Sequence, residues 1–281
     1  MTGMEGRPDY PFRFALCNEV LRDLPFDRQC AVAASLGYDG LEVAPFTLAD
    51  DPRTLTPAQI DRLARTAAAE GVAITGLHWL LVAPAGLSIT DPAPDVRRET
   101  ASVIAALVGL CRDLGGSVLV HGSPNQRRLA GHPDGRRTAL DHWAAAGALA
   151  AEAGVTYCIE PLAEGDFIHT VGEAVAVLDE IGSPGLATML DASAAGAAEI
   201  LPVAEVLDRG LADGRIAHLQ VNAINRKAPG QGPERLIDLF RVLAKHGYRR
   251  TVSVEPFIYE PDGIASAAFS AGYLRGLWEG L

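Results

Sequence analysis

A single-domain (β/α)8 TIM barrel, the closed form of the α/β class, is the fold this sequence predicts, and three observations predict it. Short apolar runs alternate with longer amphipathic ones eight times. Several of the longer runs close on a glycine just before the next strand. The length, 281 residues, suits a barrel of this kind, which needs roughly 250 as one unit.

Taken in order, FRFALCNE leads into the helical PFDRQCAVAASLG, GLEVAPF into TPAQIDRLARTAAAEG, and AITGLHWLL into DVRRETASVIAALVGLCRDLGG. SVLVHGS then precedes a helix through HWAAAGALAAEAG, YCIEPL precedes VGEAVAVLDEIG, and LATMLDAS precedes PVAEVLDRGLADG. RIAHLQVNA precedes PERLIDLFRVLAKHG, and TVSVEPF precedes the last helix, from Ser266 to Glu279. Nearly continuous apolar strands belong to a parallel sheet buried on both faces. Gly37, Gly71, Gly154, Gly182 and Gly247 mark left-handed helix stops. The competing layout is an open doubly wound sheet, but no GxGxxG follows the first strand. Val82 to Asp95 and Pro124 to Arg136 are too long for simple connections. Both follow strand C-termini, the end where such barrels build their sites, so they read as loops over a ligand.

Composition excludes several function classes. With 24 basic residues against 35 acidic ones, a formal charge of −11, the chain lacks the basic face that displaces counterions from nucleic acid. A small-molecule partner is expected instead. The start MTGMEGRPDY is not a basic and apolar leader, and no apolar run approaches the roughly 20 residues that cross a bilayer. The reading is a soluble, cytoplasmic protein with no membrane or nucleic-acid partner. Cys17, Cys30, Cys111 and Cys158 are widely spaced, form no CxxC pair, and read as small buried hydrophobes.

The chemistry lies at the strand ends. Glu160 ends strand five, Asp191 strand six, Gln220 strand seven and Glu255 strand eight, at intervals of 31, 29 and 35 residues. Each interval is about one strand-helix unit, so all four side chains converge on the barrel mouth. Single acids at such positions are commonly helix N-caps or partners of a buried arginine. Three carboxylates brought together repel strongly unless a cation sits among them. Oxygen donors suit Mg²⁺ or Mn²⁺, with Co²⁺ tolerated, whereas zinc usually recruits histidine or cysteine. A divalent metal site is therefore expected.

The segments CIEPL, MLDAS, HLQVNAINRKAPGQG and VSVEPF, with GLEVAPF, GLHWLL and VLVHGSPNQRRL, resemble the sugar phosphate isomerase/epimerase superfamily of xylose isomerase-like TIM barrels. The similarity runs over essentially the whole chain, toward hydroxypyruvate isomerases and ketose 3-epimerases. It implies that Glu160 and Glu255 bind the metal and act as the acid/base pair, with Asp191 and Gln220 completing the sphere. Ketose 3-epimerases have histidine at the position of Gln220, and glutamine there resembles the hydroxypyruvate isomerase branch. They also carry a substrate-binding histidine three residues after the aspartate, where this chain has Ala194. The acid that orients the strand-five glutamate is Glu164 or Asp166, or is missing. The implied substrate is a small carbohydrate or hydroxy-keto acid, and homo-oligomers are common in the family.

The implied chemistry is proton abstraction next to a carbonyl, with a metal stabilising the developing enediolate. Return of the proton to the same carbon epimerises; return to its neighbour isomerises. Arg226 matches a substrate-binding arginine of the family, on the loop after strand seven. His218 lies two residues before Gln220, hence inside the barrel, as a substrate contact or a core histidine. His78 and Trp79 end strand three and are both expected substrate contacts, the latter as a wall. His121 ends strand four as an expected substrate contact, ahead of Asn125, Gln126 and Arg127, which could meet sugar hydroxyls or a phosphate. Glu42 ends strand two and is expected to belong to the same polar mouth, the alternative being a pair with Arg127 or another basic loop residue. Three rivals remain: a lyase resembling inosose dehydratases, a nuclease of endonuclease IV type, disfavoured by the acidic charge, and an inactive accessory subunit.

Overall fold

A computed structural model describes residues 11–163, 165 and 167–281 of the chain. Eight parallel strands close into a barrel in chain order: β1 (Arg13–Cys17), β2 (Gly40–Val43), β3 (Ala73–Leu77), β4 (Val118–His121), β5 (Thr156–Ile159), β6 (Leu186–Asp191), β7 (Ile216–Val221) and β8 (Thr251–Val254). Pairing of β8 with β1 completes the ring. Outside it run α1 (Phe26–Leu36), α2 (Pro57–Ala69), α3 (Pro94–Asp113), α4 (Gly135–Ala153), α5 (Val171–Ile181), α6 (Ala192–Ala198), α7 (Val203–Ala212), α8 (Ile237–Lys245) and α9 (Gly263–Glu279).

Strand alternation separates two cores. Phe14 and Leu16 of β1, Leu219 and Val221 of β7, and Val252 and Val254 of β8 face outward into the layer shared with the helices. Val118, Val120, Cys158, Met189 and Ala217 form a separate apolar plug inside the ring. An eight-stranded barrel is just wide enough for side chains to fill. Polar residues placed above that plug have nowhere to go but the mouth.

The helix stops are where the glycines predict them. Gly37, Gly154 and Gly182 cap α1, α4 and α5 in the left-handed conformation, and Gly71 and Gly247 follow α2 and α8 with φ of 76° and 57°. One element escaped the sequence reading: α6 begins directly at the end of β6. Its alanine-rich run is a strong helix former, and Asp191 starts it by accepting a hydrogen bond from the Ala194 N–H. The long connections after β3 and β4 are sewn to one another. Ile89 N–H donates to the Gln126 carbonyl (2.9 Å) and Thr90 Oγ1 to the Arg128 carbonyl (2.5 Å). Only their strand-proximal ends, at Trp79, Gly122 and Pro124, reach the cavity at the mouth.

Candidate active site at the barrel mouth

β5 and β8 stop one residue short of Glu160 and Glu255, but the ladder continues through both. The Glu160 N–H donates to the His121 carbonyl (3.4 Å) and the Glu255 N–H to the Val221 carbonyl (3.2 Å). Period two then turns both side chains inward, as it does Cys158 and Ser253. Asp191 and Gln220 lie side by side in the pairing of β6 with β7.

Glu160, Asp191 and Glu255 are all buried, and each offers an oxygen within 4.8 Å of the other two. Burial, followed by the charges of Glu160, Glu19, Asp191 and Glu42, raises Glu255 well above the ordinary carboxylate range. Burial raises Asp191 as well, against the hydrogen bonds it accepts from Ala194, Ser193 and Asn222. The Gln220 amide donates to Glu42 Oε1 (2.8 Å), which leaves Gln220 Oε1 a buried acceptor without a partner among the described residues. Glu255 Oε2 is in the same position. Three carboxylates and a carboxamide, with two acceptors unsatisfied, are the donor set of a hard divalent cation, and these residues fit one.

Neighbouring groups fix each of these side chains. Asp191 Oδ1 accepts from Ser193 Oγ (2.8 Å) and the Ala194 N–H (2.7 Å), while Asn222 Nδ2 donates to Asp191 Oδ2 (2.7 Å) and to the Glu255 carbonyl (3.0 Å). Asn222 thus ties the β6 acid to the end of β8. Gly122 makes room for Glu160: a Cβ built there would lie 1.6 Å from Glu160 Oε2. Behind them the fully buried Arg127 donates to the carbonyls of His121 (2.5 Å) and Glu160 (2.7 Å), its guanidinium 5.6 Å from the centre of the Trp143 ring.

Beneath the mouth lies a tier that joins β2 and the end of β3 to β7 and β8. Glu42 Oε2 meets His218 Nε2 at 2.7 Å and accepts from Ser253 Oγ at 2.5 Å, and Glu42 Oε1 lies 3.8 Å from His78 Nδ1. Burial pushes Glu42 up, but His218, His78 and Ser253 together bring it down to about 2. His78 Nε2 is 2.8 Å from Glu19 Oε2. Burial disfavours the charged imidazole, and Glu19 and Glu42 overcome this to raise it.

Above the carboxylates opens a cavity of about 370 Å³, walled by Trp79, Leu162, Ala194, Ile224 and Phe257, with Arg226 at its side. Arg226 lies 4.8 Å over the Phe257 ring. Its φ of 67° and that of Trp79, 52°, are left-handed, a conformation that costs a non-glycine residue on the order of 1 kcal/mol or more. Backbone bonds hold Arg226 there: the N–H groups of Phe257 and Ile258 both donate to its carbonyl at 2.9 Å.

A sequence profile of the family described as xylose isomerase-like TIM barrels matches residues 30–276. The chain belongs to that family. A D-psicose 3-epimerase of Ruminiclostridium cellulolyticum is 24% identical over 232 residues, covering 80% of this chain and 76% of the epimerase. Among solved structures, D-psicose 3-epimerase with D-tagatose from Clostridium cellulolyticum H10 superposes with a TM-score of 0.81 at 19% identity, over 95% of this chain and 99% of that one. A 3-keto-D-glucoside 4-epimerase from E. coli gives 0.79 at 19% identity, over 94% and 99%.

Within this xylose isomerase-like barrel the structure brings Glu160, Asp191 and Glu255 together, with Gln220 beside Asp191, and places Trp79 and Arg226 on the cavity wall. His78 lies beside Glu255, 3.9 Å from Oε1. Three expected substrate contacts are elsewhere. His218 sits below the mouth against Glu42 and also borders a separate cavity among Arg13, Arg249 and Arg250 at the opposite end of the barrel. His121 points outward from β4, where its Nδ1 meets Tyr157 Oη (2.9 Å) and Trp143 Nε1 (3.2 Å), and burial lowers it well below the ordinary range. It follows Val118 and Val120, which face inward, at odd spacing. Gln126 is outside the cavity lining, its carbonyl taken by Ile89. Glu42 pairs with His218 rather than Arg127. Asp166 and Glu164 lie outside the described residues. Sequence reasoning missed Glu19, Ser193, Asn222 and Phe257. Asn222 was within reach, since His218, Gln220 and Asn222 share one face of β7 by simple alternation.

Proposed function

We propose that the protein is a metal-dependent isomerase or epimerase of a small sugar or hydroxy-carbonyl compound, with Glu160 and Glu255 moving the proton. The observation that carries this reading is the buried triad of Glu160, Asp191 and Glu255 at the floor of a sugar-sized cavity, with Gln220 Oε1 left unsatisfied beside it. The relatives named as epimerases act at a carbon next to a carbonyl, the chemistry such a floor suits.

Glu160, Asp191, Gln220 and Glu255 would hold the cation, Mn²⁺, Mg²⁺ or Co²⁺. When bound, it stabilises negative charge developing on a carbonyl and an adjacent hydroxyl oxygen. Glu160 and Glu255, from strands on different sides of the mouth, take the proton from one face of the substrate and return it from the other. Arg127 holds the Glu160 backbone carbonyl, and Gly122 leaves room for its carboxylate. Asn222 and Ser193 hold Asp191, so that it binds rather than exchanges protons. Arg226 contacts substrate oxygens, and Trp79 and Phe257 exclude water from the cavity wall. A homo-oligomer acting in the cytoplasm fits this reading. No helix among the described residues is long and apolar enough to cross a membrane.

The test is metal content of the purified protein, followed by deuterium incorporation from D₂O into hydroxypyruvate, tartronate semialdehyde and a panel of free ketoses, with product identification. Metal-dependent exchange supports the reading, and the substrate that exchanges names the branch. Loss of water from the product would move the assignment to a lyase, and a protein that binds no divalent metal would overturn it.

A further inference from the structure

Beside the proposed metal residues, a second set of buried donors converges on Glu255 from the other side. Cys17 closes β1, Glu19 follows it, and His78 follows β3. One ligand atom from each of Cys17, Glu19, His78 and Glu255 lies within 4.8 Å of all the others. Cys17 and His78 are entirely buried, and Glu19 and Glu255 are 8% and 3% exposed.

A small tetrahedral ion needs only a slight readjustment of this spacing. Bonds of about 2.0–2.3 Å place neighbouring ligand atoms roughly 3.3–3.8 Å apart. Here His78 Nε2 is 3.9 Å from Glu255 Oε1 and 2.8 Å from Glu19 Oε2, a hydrogen bond that opens by about half an ångström to admit the ion. Two further observations point to a ligand. Glu255 Oε2 has no hydrogen-bond partner among the described residues, which leaves an oxygen of this shared carboxylate uncommitted. His78 Nδ1 is likewise buried without a hydrogen bond and faces Glu42 Oε1 at 3.8 Å. A metal-bound histidine commonly turns its other ring nitrogen toward such a carboxylate.

We propose that Cys17, Glu19, His78 and Glu255 form a second cation site, softer than the first and joined to it through Glu255. Thiolate and imidazole donors select a borderline ion such as Zn²⁺ or Co²⁺, whereas Glu160, Asp191 and Gln220 offer only oxygen. The centre then holds two unlike cations, and the second binds whether or not the first supports the chemistry proposed above. It draws on that reading only in sharing Glu255.

Co²⁺ titration of the chelator-treated full-length protein tests this, read by near-ultraviolet absorption and by metal content after desalting. The wild type is expected to bind two cobalt ions per chain, one of which brings a thiolate-to-cobalt charge-transfer band. Cys17→Ser should lose the band and one ion; Asp191→Asn should lose the other ion and keep the band. Should Cys17→Ser fail to fold, His78→Gln provides the same reading, with at least tenfold weaker cobalt binding at the thiolate site. A wild type that saturates without the band, or a band that survives Cys17→Ser, overturns the proposal. A band accompanied by no substrate exchange would overturn only the proposed reaction.

Discussion

Two buried glutamates inside the same barrel have opposite electrostatic fates. Glu42, in the middle tier, is brought down to about 2, while Glu255, at the mouth, is raised well above the ordinary range. Burial pushes both upward, so the difference lies in the neighbours. His218, His78 and Ser253 surround Glu42; Glu160, Glu19 and Asp191 surround Glu255. One acid is held ionised as a brace, and the other is left with an unmet demand for a proton or a cation. Glu42 on β2 is braced by His78 after β3, His218 of β7 and Ser253 of β8, whereas the acids facing Glu255 follow β1 and β5 or end β6.

The sharpest break in this contrast is at the demanding end. Glu160→Gln and Glu255→Gln are each expected to lower solvent-deuterium exchange into the substrate by ~10²–10⁴-fold, measured by NMR, with the fold retained by circular dichroism. A residual rate near that of the wild type would remove either residue from the proton path.

Breaking the brace should instead cost stability. Glu42→Ala leaves His218, His78 and the Gln220 amide without their shared partner, for an expected loss of about 3–5 kcal/mol in urea unfolding. The pH dependence follows from the direction of the shift. Because Glu42 titrates lower in the folded protein, its contribution is full above its ordinary 4.5 and vanishes as pH falls toward about 2. That amounts to roughly 3 kcal/mol at most, so wild type and variant should converge in acid.

Glu255 and Asp191 have the opposite sign. Raised values mean that the folded protein holds protons more tightly, so metal-free stability falls as pH rises through and beyond the carboxylate range. Mn²⁺ should therefore raise the melting temperature more at pH 8 than at pH 5, its stabilisation at pH 8 reaching about 2.7 kcal/mol at a hundredfold excess over its Kd there. A shift independent of pH would contradict competition between proton and cation.

Asn222→Ala tests the link between β6 and β8. Loss of its bonds to Asp191 and the Glu255 carbonyl should weaken metal binding by about 10–100-fold, read by calorimetry, with a smaller effect on melting. Smallest of all, Arg226→Gly relieves a left-handed backbone. Stability should rise by up to about 1 kcal/mol while KM increases, because the guanidinium over Phe257 is gone.

The barrel was legible because its cause is local. Eight apolar runs, their spacing and the glycine stops at Gly37, Gly154 and Gly182 are features of consecutive residues. The short helix α6 was not read, since DAS looks like a strand end until Asp191 is seen to cap it. The triad was legible for the same reason as the barrel: strand-end carboxylates one unit apart must converge once the ring closes. His121 shows the limit, because one step of strand register sends it outward to Tyr157 and Trp143 instead of inward to the cavity.

What the sequence determined by itself was the ring, and with it the meeting of Glu160, Asp191 and Glu255, because periodicity and spacing do not depend on which side chains touch. Tertiary structure alone decided that Glu42 pairs with His218, that Arg127 clamps the Glu160 carbonyl, and that Cys17, Glu19 and His78 meet at Glu255. Those contacts join residues up to 238 positions apart across the barrel axis, and their charge states follow from burial and neighbours that exist only after closure.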